Sequence, residues 1–312
     1  MSEQRPEEIR KATPAAVQDG RLFDEVFLRK LDRLAILSRR AMAGQLQGER
    51  RSPKRGQSVE FADFRPYTHG DDFRRIDWNA YARLERFFIK LFVEEEDLTV
   101  HLLVDTSRSM DWGEPNKLWY AARAAGALGY IALANLDRVT VTGFGEPGAN
   151  GNQKFPARRG KQQAMNLFAF LQTLLAGGRT DLGPRLRLYA ATALNPGPLL
   201  LFSDLLDDGW RDGLTALAAR GFDVTVLHIL SPEEVNPVID GDLRLVDVET
   251  GADLEITADY DLLQRYQQGL EAWQAELRSY CGARNMNYVP LATSISFDEL
   301  LFNVLRQRGL LR

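Results

Sequence analysis

Asp105, Ser107 and Ser109 stand at alternate positions directly after an apolar stretch, in the segment LTVHLLVDTSRSM from Leu98 to Met110. On a tight turn, this spacing aims one carboxylate and two hydroxyls at a common point. All three are hard oxygen donors of the kind Mg²⁺ prefers while it keeps several waters. With a single carboxylate in direct contact, the ion would retain positive charge able to capture an Asp or Glu of a partner protein. The competing reading is structural: serine is a favoured N-cap residue, and Ser107 and Ser109 could simply cap the helix that follows.

Catalytic constellations are scarcer. A haloacid-dehalogenase-type phosphatase also begins with an Asp after a buried strand, but needs a second Asp two positions on, where this chain has Ser107. No Gly-x-Ser-x-Gly elbow surrounds a candidate nucleophilic serine. The three histidines, His69, His101 and His228, are far apart, and two of them sit inside strand patterns, which points to core roles. GFGEPGANGNQK lacks the spacing of a phosphate-binding loop, so ATP hydrolysis by the chain itself is not expected. Arg50, Arg51, Lys54 and Arg55 form a basic loop without the interleaved aromatic residues of a single-strand nucleic-acid platform. A solvated or partner-facing loop is the simpler reading.

The elements that position Asp105 follow from hydropathy. A near-continuous apolar run suits a parallel strand covered on both faces, and open α/β sheets carry their sites just beyond such strand ends. The Ala-rich stretch after Lys117 predicts a long helix in which Gly126 and Gly129 permit close packing. Further strands are predicted at Asp137–Gly145, Pro198–Ser203, Phe222–Leu230 and Asn287–Ala292, with helices between them, and an acidic hairpin at Leu243–Val248 and Asp253–Thr257. This alternation argues for a doubly wound, mostly parallel α/β sheet. RFFIKLFVEEE reads as a strand entering or flanking that sheet. Trp78 reads as a core anchor. Asp71, Asp72, Arg74, Arg75, Asp77 and Arg83 of the surrounding segment suggest an internal ion-pair network. Asp181 reads as a helix cap, and a last helix is expected from Phe297 to Arg308.

Composition sets outer bounds. With 312 residues and 45% hydrophobic content, the chain can bury a full core, and a net charge of −4 at pI near 5.6 gives no general attraction to nucleic acid. The single Cys281 excludes intrachain disulfides. No run approaches the roughly 20 apolar residues of a spanning helix, so a cytoplasmic protein without a membrane span is expected. Charge is uneven: residues 231–261 hold ten acidic residues against Arg244 alone. The expected organisation is a mobile tail over 1–20, a helix, basic loop and Trp78-containing segment over 21–97, and the α/β domain over 98–312.

Two further motifs carry a resemblance. Asp105, Ser107 and Ser109 resemble the metal-ion-dependent adhesion site of von Willebrand factor A domains. GGRTDL, with Thr180, and LLLFSDLLDDG, with Asp204, are similar to the rest of that site. YTHGDDFRRIDWNAYARLERFFIKLF, from Tyr67 to Phe92, resembles the bacterial domain-of-unknown-function 58 family, and the likeness runs from about Arg50 to the C-terminus. That resemblance implies a von Willebrand factor A-type sheet with an N-terminal extension. It also implies a Mg²⁺ (or Mn²⁺ or Ca²⁺) site in which Ser107, Ser109 and Thr180 are direct ligands and Asp105 and Asp204 act mainly through water. A protein-binding adaptor follows, working with a MoxR-type AAA+ ATPase and an acidic-residue-bearing client in chaperone-like maturation or assembly. This chain departs from the commonly seen Gly-Gly-Thr-Asp-Leu in carrying Arg179 between Gly178 and Thr180. A metal-dependent phosphohydrolase using Asp105, and a scaffold with a vestigial metal site, are the alternatives.

Overall fold

The computed structural model describes residues 59–68, 76–94, 98–145, 153–179 and 181–296, with the single positions 23, 25, 29, 31, 73, 299 and 300. It divides into two compact units, Gln45–Asp97 and a larger one of Met1–Gly44 with Leu98–Arg312. The basic loop residues Arg50, Arg51, Lys54 and Arg55 lie outside the described residues, as do the tail, most of the helix expected after it and nearly all of the expected last helix.

In the smaller unit, β1 (Val59–Pro66) and β2 (Phe88–Glu94) pair antiparallel in a sheet of their own. The RFFIKLFVEEE segment thus supplies a strand as expected, but one that pairs with the preceding strand in a separate sheet and does not enter the six-stranded one. Between them, α1 (Trp78–Leu84) is capped by Asp77, whose buried carboxylate accepts from the N–H groups of Asn79 and Ala80. Asp77 is thus a helix cap. Asp71, Asp72, Arg74 and Arg75 lie outside the described residues, and Arg83 is exposed. Trp78 is also corrected from core anchor to surface residue, at 61% exposure. Its ring meets Tyr81 and Phe87 edge-on, and those two stack with centroids 4.4 Å apart. A seven-residue helix over a two-stranded ribbon has too little apolar area to enclose an indole.

In the larger unit six strands run in the order β10-β7-β6-β3-β4-β5. They are β3 (Thr99–Asp105), β4 (Arg138–Phe144), β5 (Lys154–Arg159), β6 (Pro198–Ser203), β7 (Asp223–Leu230) and β10 (Asn287–Ala292). All pair in parallel except the edge strand β5, which returns antiparallel to β4. This is the doubly wound, mostly parallel α/β sheet that the hydropathy pattern predicted. Val100, Leu102 and Val104 of β3 enter a core with α2 (Lys117–Ala134) and α3 (Ala164–Gln172), which also receives Phe23 and Leu31. Leu103 enters the opposite core, with α4 (Leu182–Thr192), α5 (Trp210–Arg220) and Leu277 and Cys281 of α7 (Tyr260–Gly282). A one-turn helix, α6 (Pro232–Val235), follows β7, and the acidic hairpin of β8 (Gly241–Val246) and β9 (Asp253–Ala258) forms a separate two-stranded sheet. No helix among the described residues is long and apolar enough to cross a membrane.

The small residues of α2 let it press on the sheet. A Cβ at Gly129 would lie 2.7 Å from Leu167 Cδ2 and 3.0 Å from Leu102 Cδ1, both on fully buried leucines, whereas one at Gly269 of α7 would meet nothing within 4 Å. Gly129→Ala is therefore expected to lower stability by about 1–3 kcal/mol through overpacking, despite alanine's better helix propensity. Gly269→Ala should raise stability by up to about 1 kcal/mol. Urea denaturation of the two variants beside the wild type checks both signs.

Candidate functional site

Loops after β3 and β6 leave the sheet toward opposite faces, one leading to α2 and the other to α5, so a crevice opens between two adjacent strand ends. Asp105 is the last residue of β3, and Asp204 follows β6 directly. Both are fully buried. Asp105 Oδ1 accepts from Ser107 N at 2.9 Å and its Oδ2 from Ser203 Oγ at 2.6 Å. The Asp204 carboxylate accepts from Leu206 N at 3.2 Å and from Lys117 Nζ at 2.8 Å. Each carboxylate therefore has both oxygens engaged by protein donors.

The hydroxyls of Ser107 and Ser109 lie 3.0 Å apart. Ser107 occupies the N-cap position of a 3₁₀ turn, Arg108–Met110, yet its side chain makes no capping bond. The plain capping role weighed from sequence is thus not the one the Ser107 hydroxyl plays. The loop is held from outside: Thr106 N donates to Phe144 O, Arg108 N to Gly178 O, and Gly177 N to Thr106 O. These bonds dock the Gly-Gly-Arg stretch onto the serine loop. Thr180, the next residue after Arg179, lies outside the described residues. Asp181 sits at the N-cap of α4 but its side chain makes no capping bond either.

Five residues beyond the expected ligands also build the site. Lys117, the first residue of α2, is fully buried, with Nζ 2.8 Å from Asp204 and 2.5 Å from Glu234. Burial alone would lower its pKa, but the two carboxylates more than compensate and hold it above the ordinary lysine value. Glu234 belongs to a capping box at α6, where Ser231 N donates to Glu234 Oε2 at 2.7 Å and Glu234 N to Ser231 Oγ. The pattern Ser-Pro-Glu-Glu was the one readable signal here. Gly113, at φ +87, lets the loop before α2 approach the Ser231 side chain, which any Cβ would overlap. Ser203 is the hydroxyl on Asp105. His228 is buried in β7, where Nε2 donates to the backbone carbonyl of Asp204 at 3.0 Å and Nδ1 accepts from Tyr288 at 2.7 Å. Burial pushes its pKa down to about 4, so it is a neutral strut.

Complete burial, and then the charge of Asp204, push the Asp105 carboxyl up to about 7 against the hydrogen bonds from Ser203 and Ser107. The donor set at the crevice is all hard oxygen. Among the described residues no three or more His, Cys, Asp or Glu gather as a metal cluster. The other expected core residues behave as such: His101 bonds Tyr189 at 2.6 Å and the carbonyl of Asn195, and Cys281 is buried with its thiol pushed up to about 11. The acidic hairpin reaches the site as well, for Ser109 N donates to Glu249 Oε1 at 3.3 Å.

Among proteins of known sequence, the chain is 27% identical over 308 residues to the uncharacterized protein Rv1480 of Mycobacterium tuberculosis, covering 96% of this chain and 95% of that one. It is 30% identical over 138 residues to the uncharacterized protein MAV169 of Mycobacterium avium, covering 42% of this chain and 80% of the relative. Among solved structures, the conserved hypothetical protein BatB of Bacteroides thetaiotaomicron is similar at 16% identity and a TM-score of 0.42, over 68% of this chain and 97% of that one. A von Willebrand factor type A protein of Catenulispora acidiphila is similar at 14% identity and a TM-score of 0.31, over 43% and 33%. The family model described as "Protein of unknown function DUF58" matches residues 63–276, and this protein belongs to that family.

Proposed function

We propose that this chain is a divalent-cation-dependent protein-binding module, an adaptor rather than an enzyme. Its Ser107 and Ser109 hydroxyls, with Thr180, would hold Mg²⁺, Mn²⁺ or Ca²⁺ directly, and Asp105 and Asp204 would hold it through water. The observation that carries this reading is the pair of hydroxyls 3.0 Å apart on the loop after β3, which leaves the sheet beside two buried carboxylates whose oxygens are already engaged. Such carboxylates supply field more readily than direct bonds, and the hydroxyls are neutral. When bound, the cation supplies uncompensated positive charge that a partner's carboxylate can meet. Ser203, Lys117 and His228 keep the two aspartates in place and keep bulk water off their backs.

The partner we infer is a MoxR-type AAA+ ATPase together with an acidic-residue-bearing client, in the maturation or assembly role that the family resemblance implies. A phosphohydrolase using Asp105 has less support. A nucleophilic carboxylate must reach its substrate, and Asp105 is fully buried with Ser203 and Ser107 on its oxygens. A scaffold with a vestigial site is the outcome if no cation binds.

Thermal unfolding across Mg²⁺ and Mn²⁺ titrations tests the core claim. The wild type should gain about 2.7 kcal/mol at 100 times the dissociation constant, and Ser107→Ala/Ser109→Ala should gain nothing; an unresponsive wild type sinks the cation reading. Without metal, the raised Asp105 pKa means its ionised form is disfavoured in the folded state, so that contribution to stability is full below about 3.8 and lost as pH rises through about 7. At pH 8 Asp105→Asn should therefore unfold at a higher temperature than the metal-free wild type, while losing the response to Mg²⁺. Lys117→Met should cost on the order of 3–5 kcal/mol by leaving Asp204 and Glu234 without their cation, measured by urea denaturation at neutral pH.

A further inference from the structure

We propose that the outer edge of β9 takes an extended segment of a partner protein as a third strand, one in which apolar residues alternate with Lys or Arg. This surface is separate from the crevice and needs no cation there. β8 and β9 form a two-stranded sheet with no third strand among the described residues. Their register pairs Leu243 with Ile256, Arg244 with Glu255, Leu245 with Leu254 and Val246 with Asp253. Paired residues of an antiparallel ribbon point to one side, and successive pairs alternate between sides. Leu243, Leu245, Leu254 and Ile256 therefore share one face, and Asp242, Arg244, Asp253, Glu255 and Thr257 share the other. The apolar face is open, with Leu245 at 44% and Leu254 at 63% exposure. A ribbon of this size is marginal by itself, and a further strand is one of the additions that stabilise it.

Charge selects both the edge and the guest. On the polar face Arg244 donates to Asp253 at 2.6 Å and Thr257 to Asp242 at 2.7 Å, whereas Glu255 is exposed and forms no ion pair among the described residues. Basic side chains of a strand beside β8 would face Arg244, but beside β9 they meet Asp253 and Glu255. Opposite charges across neighbouring strands stabilise the pairing, and like charges oppose it. Residues 231–261 hold ten acidic residues against Arg244 alone, so an acidic guest is repelled. The same repulsion disfavours a second copy of this chain adding through its own β9. Sequence also distinguishes this ribbon from the main sheet. The edge strands of the six-stranded sheet, β5 and β10, each carry a proline, Pro156 and Pro290, which removes a donor from the edge. Neither β8 nor β9 contains one, so β9 keeps the full run of amides that strand addition uses.

Fluorescence anisotropy with the full chain and a labelled peptide of about eight residues, alternating valine and lysine, tests the assignment. The controls are the same peptide with glutamate for lysine, and one with its valines and lysines in separate blocks. Wild type should bind the alternating valine–lysine peptide about tenfold or more tightly than either control. Glu255→Lys should weaken that binding about three- to tenfold, whereas Glu271→Lys, exposed on α7, should leave it unchanged. Amide hydrogen exchange should slow along β9 on peptide addition and not along β8. Exchange unchanged in β9 despite binding assigns the contact to the apolar face and not the edge. Equal weakening in Glu255→Lys and Glu271→Lys reduces it to general charge attraction, and self-association of the wild type that protects β9 gives the edge to a second copy. Each of these results overturns the proposal, as does absence of binding to the wild type.

Discussion

Two carboxylates buried side by side at neighbouring strand ends are the constraint around which the larger unit is arranged. Like charges out of water repel and desolvate together, and removing either compensating partner leaves an uncompensated buried charge. The fold answers with donors from four directions. Ser203 and the Ser107 amide serve Asp105, Lys117 and the Leu206 amide serve Asp204, and His228 ties down the Asp204 backbone. Lys117 is in turn shared with Glu234, whose other oxygen closes the cap of a one-turn helix. A single electrostatic problem therefore links β3, β6, β7, α2 and α6.

That linkage explains features that look unrelated along the chain. Gly113 serves the approach of the loop before α2 to Ser231, and that loop is what delivers Lys117. The small residues of α2 let the helix lie close to the sheet, so that its first residue sits within reach of Asp204. Even neutral His228 follows, since burial disfavours a charged imidazole there more than the neighbouring Asp204 favours it.

The geometry also divides roles in the proposed module. The engaged carboxylates would set the field, and the neutral hydroxyls of Ser107 and Ser109, 3.0 Å apart, would meet the cation directly.

Much of this fold was legible in the sequence because hydropathy period and strand-end position are local properties. Asn287–Ala292 and Pro198–Ser203 coincide with their predicted elements, and the apolar run of β3 announced both its double burial and the place of Asp105. Trp78 misled for one reason: amphipathic pattern reports that a face is apolar, not whether enough neighbouring structure exists to cover it. Lys117 and His228 were silent because their roles depend on partners 87 and 24 residues away. No local spacing encodes such a separation. The sequence by itself determined the sheet, the strand ends and the oxygen-rich loop. Tertiary structure alone decided which charges those loops must share, because the field at a buried carboxylate is set by whatever the whole chain folds against it.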